Sequence, residues 1–156
     1  MTRGTPANPF EILLVEDNQA DADLVVEALK ETALPTHRVS VVQDGEEAMA
    51  FLRREGRYQT APVVDLVLLD LNLPRKDGRE VLAELRQDER LTHLPVVILT
   101  SSEAERDLVQ AYRLHANCFI TKPLDLQQFF SVIQALERFW LSVARLPPAP
   151  APTPGP

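Results

Sequence analysis

The sequence has little cysteine, little glycine and no long apolar run. Its single cysteine, Cys118, cannot form an intramolecular disulfide, which agrees with a reducing compartment. The apolar neighbours Phe119 and Ile120 predict a buried, inert thiol. No apolar stretch approaches the ~18 residues that cross a bilayer, and the N-terminus lacks the basic-then-apolar order of a signal peptide. We therefore expect a cytoplasmic protein with no membrane contact.

Basic residues are also scarce relative to acidic ones. Sixteen Lys and Arg residues against 23 Asp and Glu residues leave a net charge of -7, which is unfavourable for contact with nucleic acid phosphates. The 45% of hydrophobic and 25% of charged residues are ordinary for a globular protein. The 156 residues suffice for one domain. We predict a flexible arm over residues 1–9, a domain over 10–146 and a disordered Pro-rich tail over 147–156.

Short apolar segments alternate with helical patterns along the domain. Three of them are runs of four apolar residues, which is typical of buried parallel strands. A fourth is rich in β-branched valine, and the fifth precedes a Lys-Pro dipeptide. They cover residues 12–15, 39–42, 66–69, 96–99 and 118–121. Helical periodicity follows each of them. The alternation predicts an α/β fold, a doubly wound five-stranded parallel sheet with helices on both faces.

The fourth helix has a predicted start and a predicted buried face. Ser102 followed by Glu105 has the pattern of a capping box. Helical spacing after that start turns three large side chains inward, those of Leu108, Val109 and Tyr112. We therefore expect this helix to pack on the sheet through them.

The fifth helix carries more apolar residues than one sheet can cover. Over residues 125–145 they span an arc of roughly 220°, against the roughly 100° of an ordinary surface helix. Either the N-terminal arm or the loop over residues 55–64 covers the excess, or a partner does. We favour a partner, because exposed apolar patches usually mark interaction sites. The expected interface residues are Phe139, Trp140 and Val143.

Polar side chains follow four of the five strands. Glu16 and Asp17 follow the first strand, Asp70 the third, Thr100 the fourth and Lys122 the fifth. Because the carboxyl ends of parallel strands share one edge of the sheet, we expect these side chains to converge. Three crowded carboxylates raise one another's pKa unless a divalent cation neutralises them, and oxygen ligands favour Mg²⁺.

Such a site suits phosphoryl transfer. The Asp70 carboxylate is a nucleophile for phosphorus, while the Lys122 ammonium, the Thr100 hydroxyl and a cation supply donors and positive charge for the phosphoryl oxygens. Singly, each residue has an ordinary structural interpretation as a helix cap, a strand end or a solvated charge. Their order at successive strand ends favours the phosphoryl site.

Four motifs resemble the receiver domain of two-component response regulators, which has a flavodoxin-like fold. They are Val-Glu-Asp-Asn at 15–18, Leu-Asp-Leu-Asn-Leu-Pro at 69–74 with Asp-Gly at 77–78, Leu-Thr-Ser at 99–101, and Thr-Lys-Pro at 121–123. A narrower resemblance, to single-domain regulators associated with phytochromes, lies in the segment 114–118, the long loop before residue 64 and the Phe-Trp-Leu at 139–141.

The resemblance implies a function and a set of site residues. Asp70 would accept a phosphoryl group from a sensor histidine kinase, here a bacteriophytochrome. Mg²⁺ would be held by Asp17, Asp70 and the backbone carbonyl of Asn72, with Glu16 acting through water. The protein would act as a signalling receiver rather than an enzyme, catalysing only its own phosphorylation and dephosphorylation.

The resemblance also implies a switch and an interface. Thr100 would turn toward the phosphoryl oxygens on activation, and the aromatic side chain of Phe119 would move inward with it. Phe119 lacks the hydroxyl that a tyrosine would offer there. The output would pass through a surface, and a homodimer would form through the face of the fourth helix, fifth strand and fifth helix.

Three other functions compete with this interpretation. An Mg²⁺-dependent aspartate-nucleophile phosphohydrolase resembles Asp-x-Asp at this position, but the second place here is Asn72, which cannot act as a carboxylic acid. A flavin-binding electron carrier would need a phosphate-binding loop after the first strand, where Glu-Asp-Asn would repel phosphate. The third is a receiver-like scaffold that never becomes phosphorylated, although Asp70 and Lys122 are both present.

Overall fold

The structure is a computed structural model that describes residues 3–31 and 36–148. Its strands are β1 (Phe10–Val15), β2 (His37–Val42), β3 (Leu66–Leu69), β4 (Val96–Thr100) and β5 (Cys118–Thr121). Its helices are α1 (Gln19–Lys30), α2 (Gly45–Arg53), α3 (Gly78–Gln87), α4 (Glu105–Arg113) and α5 (Leu126–Arg138). A 3₁₀ turn covers Gly56–Tyr58, and a π-helical turn, Phe139–Val143, follows α5.

The five strands form one parallel sheet in the order β2-β1-β3-β4-β5. All four residues of β3 and all five of β4 are buried, which explains why these strands are continuous apolar runs without alternation. β5 lies at an edge and is only half-buried. Cys118 is accordingly half-buried rather than buried, and burial raises the pKa of its thiol.

Helices cover both faces of the sheet, as predicted. On one face α1 and α5 pack against each other, with Val25, Leu29, Phe129 and Ile133 in a common apolar cluster. On the other face α2 and α3 contribute the apolar side chains. The doubly wound α/β fold expected from the alternation of apolar segments is therefore confirmed. In the part of the chain that the structure describes, every helix is too short or too polar to cross a membrane.

Side chains at the helix N-termini explain where most helices begin. Asn18, Asp44, Asp77 and Asp125 each accept a hydrogen bond from a backbone N–H in the first turn of the helix that follows. These bonds satisfy donors that have no partner within a helix. The bond to Asp125, for example, fixes the start of α5 at Leu126.

The predicted start and buried face of α4 are wrong. The helix begins at Glu105 with Ala104 as a cap residue that makes no side-chain bond, so Ser102 is not in a capping box. The residues of α4 that are buried are Asp107 and Ala111. The three side chains expected to be buried are 38%, 42% and 49% exposed, namely Leu108, Val109 and Tyr112.

The fifth helix ends earlier than predicted and leaves apolar side chains exposed. Regular α-helix stops at Arg138, and the π-helical turn closes with Ala144 N–H donating to the Phe139 carbonyl (2.7 Å). The turn buries Leu141 but leaves Phe139 52% and Val143 68% exposed. The loop over 55–64 does not cover them, because its Tyr58 packs in the apolar cluster on the opposite face of the sheet.

The described part of the N-terminal arm is bonded to the domain rather than loose. Arg3 forms an ion pair with Asp65 and donates to Asn8 Oδ1 (2.5 Å). The Gly4 carbonyl accepts from Thr36 N–H (2.7 Å). The domain bounds 1–9, 10–146 and 147–156 stay predictions, and residues 1–2 and 149–156 lie outside the described residues.

Candidate functional site

Asp70 lies immediately after β3, and its surroundings fix it there. Its N–H donates to the Val15 carbonyl of β1 (3.1 Å), and its Oδ1 accepts from the Asn72 N–H (3.2 Å). The chain then returns over this loop at Gly78, where a Cβ would lie only 2.2 Å from the Asp70 carbonyl oxygen. Only glycine fits this approach, so residue 78 can pack directly against the backbone of Asp70 and Leu71.

Lys122 follows β5, two strands away from β3 in the sheet, and its side chain reaches Asp70. Its N–H donates to the Thr100 carbonyl (2.7 Å), which continues the β4–β5 pairing. Its Nζ then lies 3.1 Å from Asp70 Oδ2 and 2.9 and 3.0 Å from the two Glu16 oxygens. The side chain is only 7% exposed. Residues that are 106 positions apart in sequence therefore meet at one point, as the parallel sheet predicted.

The acidic residues at the same edge form a compact cluster. Glu16, Asp17 and Asp70 each offer a carboxylate oxygen, and these oxygens lie within 4.8 Å of one another. Glu16 and Asp70 are buried, whereas Asp17 is exposed. Oxygen donors at this spacing fit a hard divalent cation, and the exposed Asp17 gives such an ion a route from solvent. Asn72 is exposed, and the role of its carbonyl as a ligand stays a prediction.

The electrostatics of the cluster also favour a cation. Burial raises the pKa of Glu16 to about 8, and the hydrogen bond and charge of Asp70 act in the same direction, whereas Lys122 opposes them. Burial alone would lower the pKa of Lys122, but its bonds to Asp21 and Glu16 outweigh burial and the pKa is raised. The ammonium therefore stays charged, and it neutralises only part of the negative charge around it.

Thr100 and Phe119 lie beside this cluster on neighbouring strands. Thr100 is fully buried at the end of β4, and its hydroxyl oxygen accepts from the Ser102 N–H (3.3 Å). Phe119 is half-buried on β5 opposite Ile98, and it packs against the α2–α3 side of the core. Thr100 thus contacts the loop that leads into α4. The movement of both side chains on activation stays a prediction.

Sequence reasoning missed two sets of contacts around the site. Asp21, on α1, accepts from Lys122 Nζ at 2.9 Å. Farther out, the buried Asp107 accepts from the Ser102 hydroxyl (2.5 Å) and from Arg79 (2.6 Å), and both bonds lower the pKa of its carboxyl. The only signal for Asp21 was its place one helical turn after Asp17. Asp107 gave no signal, because its burial depends on its bonds to Ser102 and to Arg79 of another helix.

A surface pocket near the amino-terminal ends of β4 and β5 has a structural role. It is lined by Arg86, Thr92, His93, Leu94, His115 and Asn117. The Arg86 guanidinium donates to three backbone carbonyls and to the Asn117 side chain. These bonds fasten the loops before β4 and β5, and they lie at the strand ends remote from Asp70.

Comparison with known proteins identifies the family. The model of the response regulator receiver domain matches residues 12–134, which include every residue of the cluster around Asp70. The chain belongs to this family. The match confirms the family resemblance inferred from the four motifs. Receiver domains are phosphorylated on an aspartate with Mg²⁺.

Individual relatives support the narrower resemblance as well. Response regulator Rcp1 from Synechocystis sp. is 49% identical over 141 residues, which are 90% of this chain and 95% of that protein. The crystal structure of the phosphorylated cyanobacterial phytochrome response regulator RcpA is 53% identical, with a TM-score of 0.86 over 89% of this chain and 99% of that chain. The Mn²⁺-bound form of Rcp1 is 48% identical, with a TM-score of 0.86 over 90% and 100%. This receiver domain is therefore similar to phytochrome-associated regulators over nearly its whole length.

Proposed function

We propose that this protein is a single-domain response regulator that accepts a phosphoryl group on Asp70 from a sensor histidine kinase, with Mg²⁺. One observation carries the proposal: Lys122 Nζ lies 3.1 Å from Asp70 Oδ2, next to three carboxylates that can share one cation. A nucleophile, a cationic donor and a metal-ligand set thus occupy one rim of the sheet. The match to the Rcp1 structure, which covers 100% of that chain, supports a regulator of the same type.

Asp70, Lys122 and Thr100 have different roles in the transfer. An Asp70 carboxylate oxygen attacks phosphorus, the bond from phosphorus to the donor imidazole nitrogen breaks, and its electron pair stays on that nitrogen, which takes up a proton. Lys122 donates a hydrogen bond to a phosphoryl oxygen, and the Thr100 hydroxyl donates to another after it turns from Ser102. Attack of water on the phosphoaspartate returns the Asp70 carboxylate and inorganic phosphate.

The carboxylate cluster supplies the cation ligands. Asp17 and Asp70 would hold Mg²⁺ directly together with the Asn72 carbonyl, and Glu16 would act through water. When bound, Mg²⁺ supplies positive charge beside the phosphoryl oxygens. The buried Glu16 and Asp70 repel each other when both are ionised. A bound cation would reduce this electrostatic repulsion.

Incubation with a small acyl phosphate tests the proposal directly. We expect intact mass spectrometry to show one added phosphoryl group in the presence of Mg²⁺ and none after chelation by EDTA. The group should be labile to mild base, as an acyl phosphate is. A protein that gains no mass at saturating donor and Mg²⁺ would contradict the proposal and favour a scaffold. Sustained turnover of small phosphate esters would instead indicate a phosphohydrolase.

The relatives support a partner kinase of the phytochrome type. RcpA is described as a cyanobacterial phytochrome response regulator, and we infer a phytochrome-type histidine kinase as the donor here. We place the protein in the cytoplasm, which suits its lone unpaired cysteine. The protein's own phosphorylation and dephosphorylation are then its only reactions. Thr100 and Phe119 would transmit the change to the surface around α4.

We further propose a homodimer through the α4, β5 and α5 face. Two apolar patches support it: Leu108, Val109 and Tyr112 on α4, and the segment after α5 in which Phe139 and Val143 are exposed. Trp140 is half-buried in the same segment, and its ring meets Phe139 edge to face at 5.6 Å. Exposed apolar side chains grouped in this way are typical of an interaction surface.

Val143→Glu tests the dimer, because it puts a charge in the patch without changing a buried side chain. We expect analytical ultracentrifugation to show a dimer for the wild type and a monomer for V143E at the same micromolar concentration. Val63→Glu is a matched control, since Val63 is 48% exposed in the loop before β3, and it should remain dimeric. A V143E protein that still sediments as a dimer would rule out this face.

A further inference from the structure

The Lys122 ammonium lies within hydrogen-bond distance of three carboxylates. An ammonium group has three N–H donors. Nζ lies 2.9 Å from Asp21 Oδ2, 2.9 Å from the nearer Glu16 oxygen and 3.1 Å from Asp70 Oδ2. Of these contacts, only those to Glu16 and Asp70 belong to the strand-end cluster. The third acceptor, Asp21, comes from a helix and has no part in the function proposed above.

The first turn of α1 holds Asp21 in place. The Asp21 N–H donates to the Asn18 side chain (3.0 Å), which caps the helix. Asn18 N–H in turn contacts Glu16 Oε1 at 3.3 Å. The Asp21 side chain is 30% exposed, against 3% for Glu16 and 6% for Asp70. Asp21 therefore contacts the ammonium from the solvent side. Asn18, the helix cap that follows Glu16 and Asp17, holds the backbone of Asp21 in place.

We propose that Asp21 is a positioning residue for phosphoryl transfer: with Glu16 it holds two donors of Lys122, so that the third points at the reacting oxygen of Asp70. The inference rests on the proposed function and adds a residue to it. A lysine ammonium ends a flexible four-carbon stem and has no fixed donor directions of its own. Its orientation must therefore come from the acceptors around it. When phosphorus bonds to Asp70, the donor that faced this carboxylate lies beside the phosphoryl oxygens.

Asp21→Asn is the test, with Asp23→Asn as its matched control. Both changes remove one negative charge from α1, but Asp23 is exposed and bonds to Gln19 rather than to Lys122. The rate of phosphoryl incorporation from a small acyl phosphate is measured across a range of Mg²⁺ concentrations. We expect D21N to lower the rate at saturating Mg²⁺ about tenfold, since small errors of position are costly in transfer reactions. The half-saturating Mg²⁺ concentration should change less than about threefold, and D23N should match the wild type.

Asp21→Glu separates positioning from charge. It keeps the carboxylate on a side chain one methylene longer, and we expect it to recover most of the lost rate. A D21N rate within about twofold of the wild type would overturn the inference. So would a loss that appears wholly in the half-saturating Mg²⁺ concentration, or a D21E protein as slow as D21N. Circular dichroism verifies that each variant is folded.

The outcome also separates this inference from the proposed function. If the wild type takes up no phosphoryl group, the proposed function fails and the role of Asp21 fails with it. If the wild type is phosphorylated and D21N keeps pace with it, only the role of Asp21 is overturned.

Discussion

We expect Asp70→Asn to abolish phosphorylation by a small acyl phosphate in the presence of Mg²⁺. An amide oxygen carries no negative charge and is a far weaker nucleophile than a carboxylate oxygen. The change also removes one of the three carboxylates in the cluster with Glu16 and Asp17. Because Asn has the same shape as Asp, the backbone bonds of residue 70 can persist. Intact mass spectrometry should show one phosphoryl group on the wild type and none on D70N.

A matched control gives this result its meaning. Asp23→Asn makes the same chemical change at an exposed position of α1, and it should be phosphorylated like the wild type. Peptide mapping of the wild type should locate the group on the peptide that contains Asp70. A D70N protein that still gains a phosphoryl group, for example on Asp17, would show that the nucleophile was assigned wrongly.

The sheet was predictable because each central strand is buried on both faces. Four consecutive apolar residues bounded by turn signals occur in β1, β3 and β4, and they have few other structural solutions in a chain with intervening helical periodicity. The strand-end cluster followed from the same fact, because parallel strands place their carboxyl ends together. Lys122 and Glu16 were therefore expected together despite their separation in sequence, and their Nζ and Oε atoms do meet.

The phase of α4 was not predictable from its apolar residues. The helix starts at Glu105, three residues after Ser102, and the Ser102 hydroxyl donates to Asp107 (2.5 Å) instead of capping a first turn. Asp107 can be buried only because Arg79 of α3 supplies a second bond. A contact between distant elements thus decides which face of the helix is exposed, and no local pattern encodes it.

The same limit applies to Asp21 and to the N-terminal arm. The bond from Lys122 to Asp21 spans 101 residues, and the ion pair of Arg3 with Asp65 spans 62. Either acidic residue, taken alone, is an ordinary solvated charge on a helix or loop. Composition predicted a loose arm because it contains no signal for these long-range partners. Pairing of charges across a fold is fixed by tertiary geometry, which the periodicity of one segment does not specify.

Lys122→Met is expected to have the second largest effect, on both transfer and stability. Removing a donor aimed at the charge that develops in a transition state typically costs about 10²-fold or more in rate, and Met offers no N–H. The variant also leaves Glu16 and Asp70 buried side by side without their shared cationic partner. Breaking a buried ion pair from one side costs about 3 kcal/mol or more. Urea unfolding followed by Trp140 fluorescence in EDTA should show this loss.

Mg²⁺ should act differently on the variant and on the wild type. A ligand that binds only the folded state stabilises it in proportion to the logarithm of its concentration over Kd. Without the ammonium, the three carboxylates attract the cation more strongly, so Mg²⁺ should raise the unfolding midpoint of K122M more than that of the wild type. The phosphorylation rate should stay low, because the cation replaces the charge of Lys122 but not its directed N–H donor.

Lys76→Met shows how much of the loss belongs to the buried position. Lys76 pairs with Glu84 at 2.6 Å, and both side chains are considerably more exposed than those of Lys122 and Glu16. A pair that keeps this much contact with water contributes less than a fully buried one, so K76M should lose less stability than K122M and respond to Mg²⁺ like the wild type. If K122M loses no more stability than K76M in EDTA, then Glu16 and Asp70 are not compensated by the ammonium in the folded protein. The electrostatic account of this site would then be wrong.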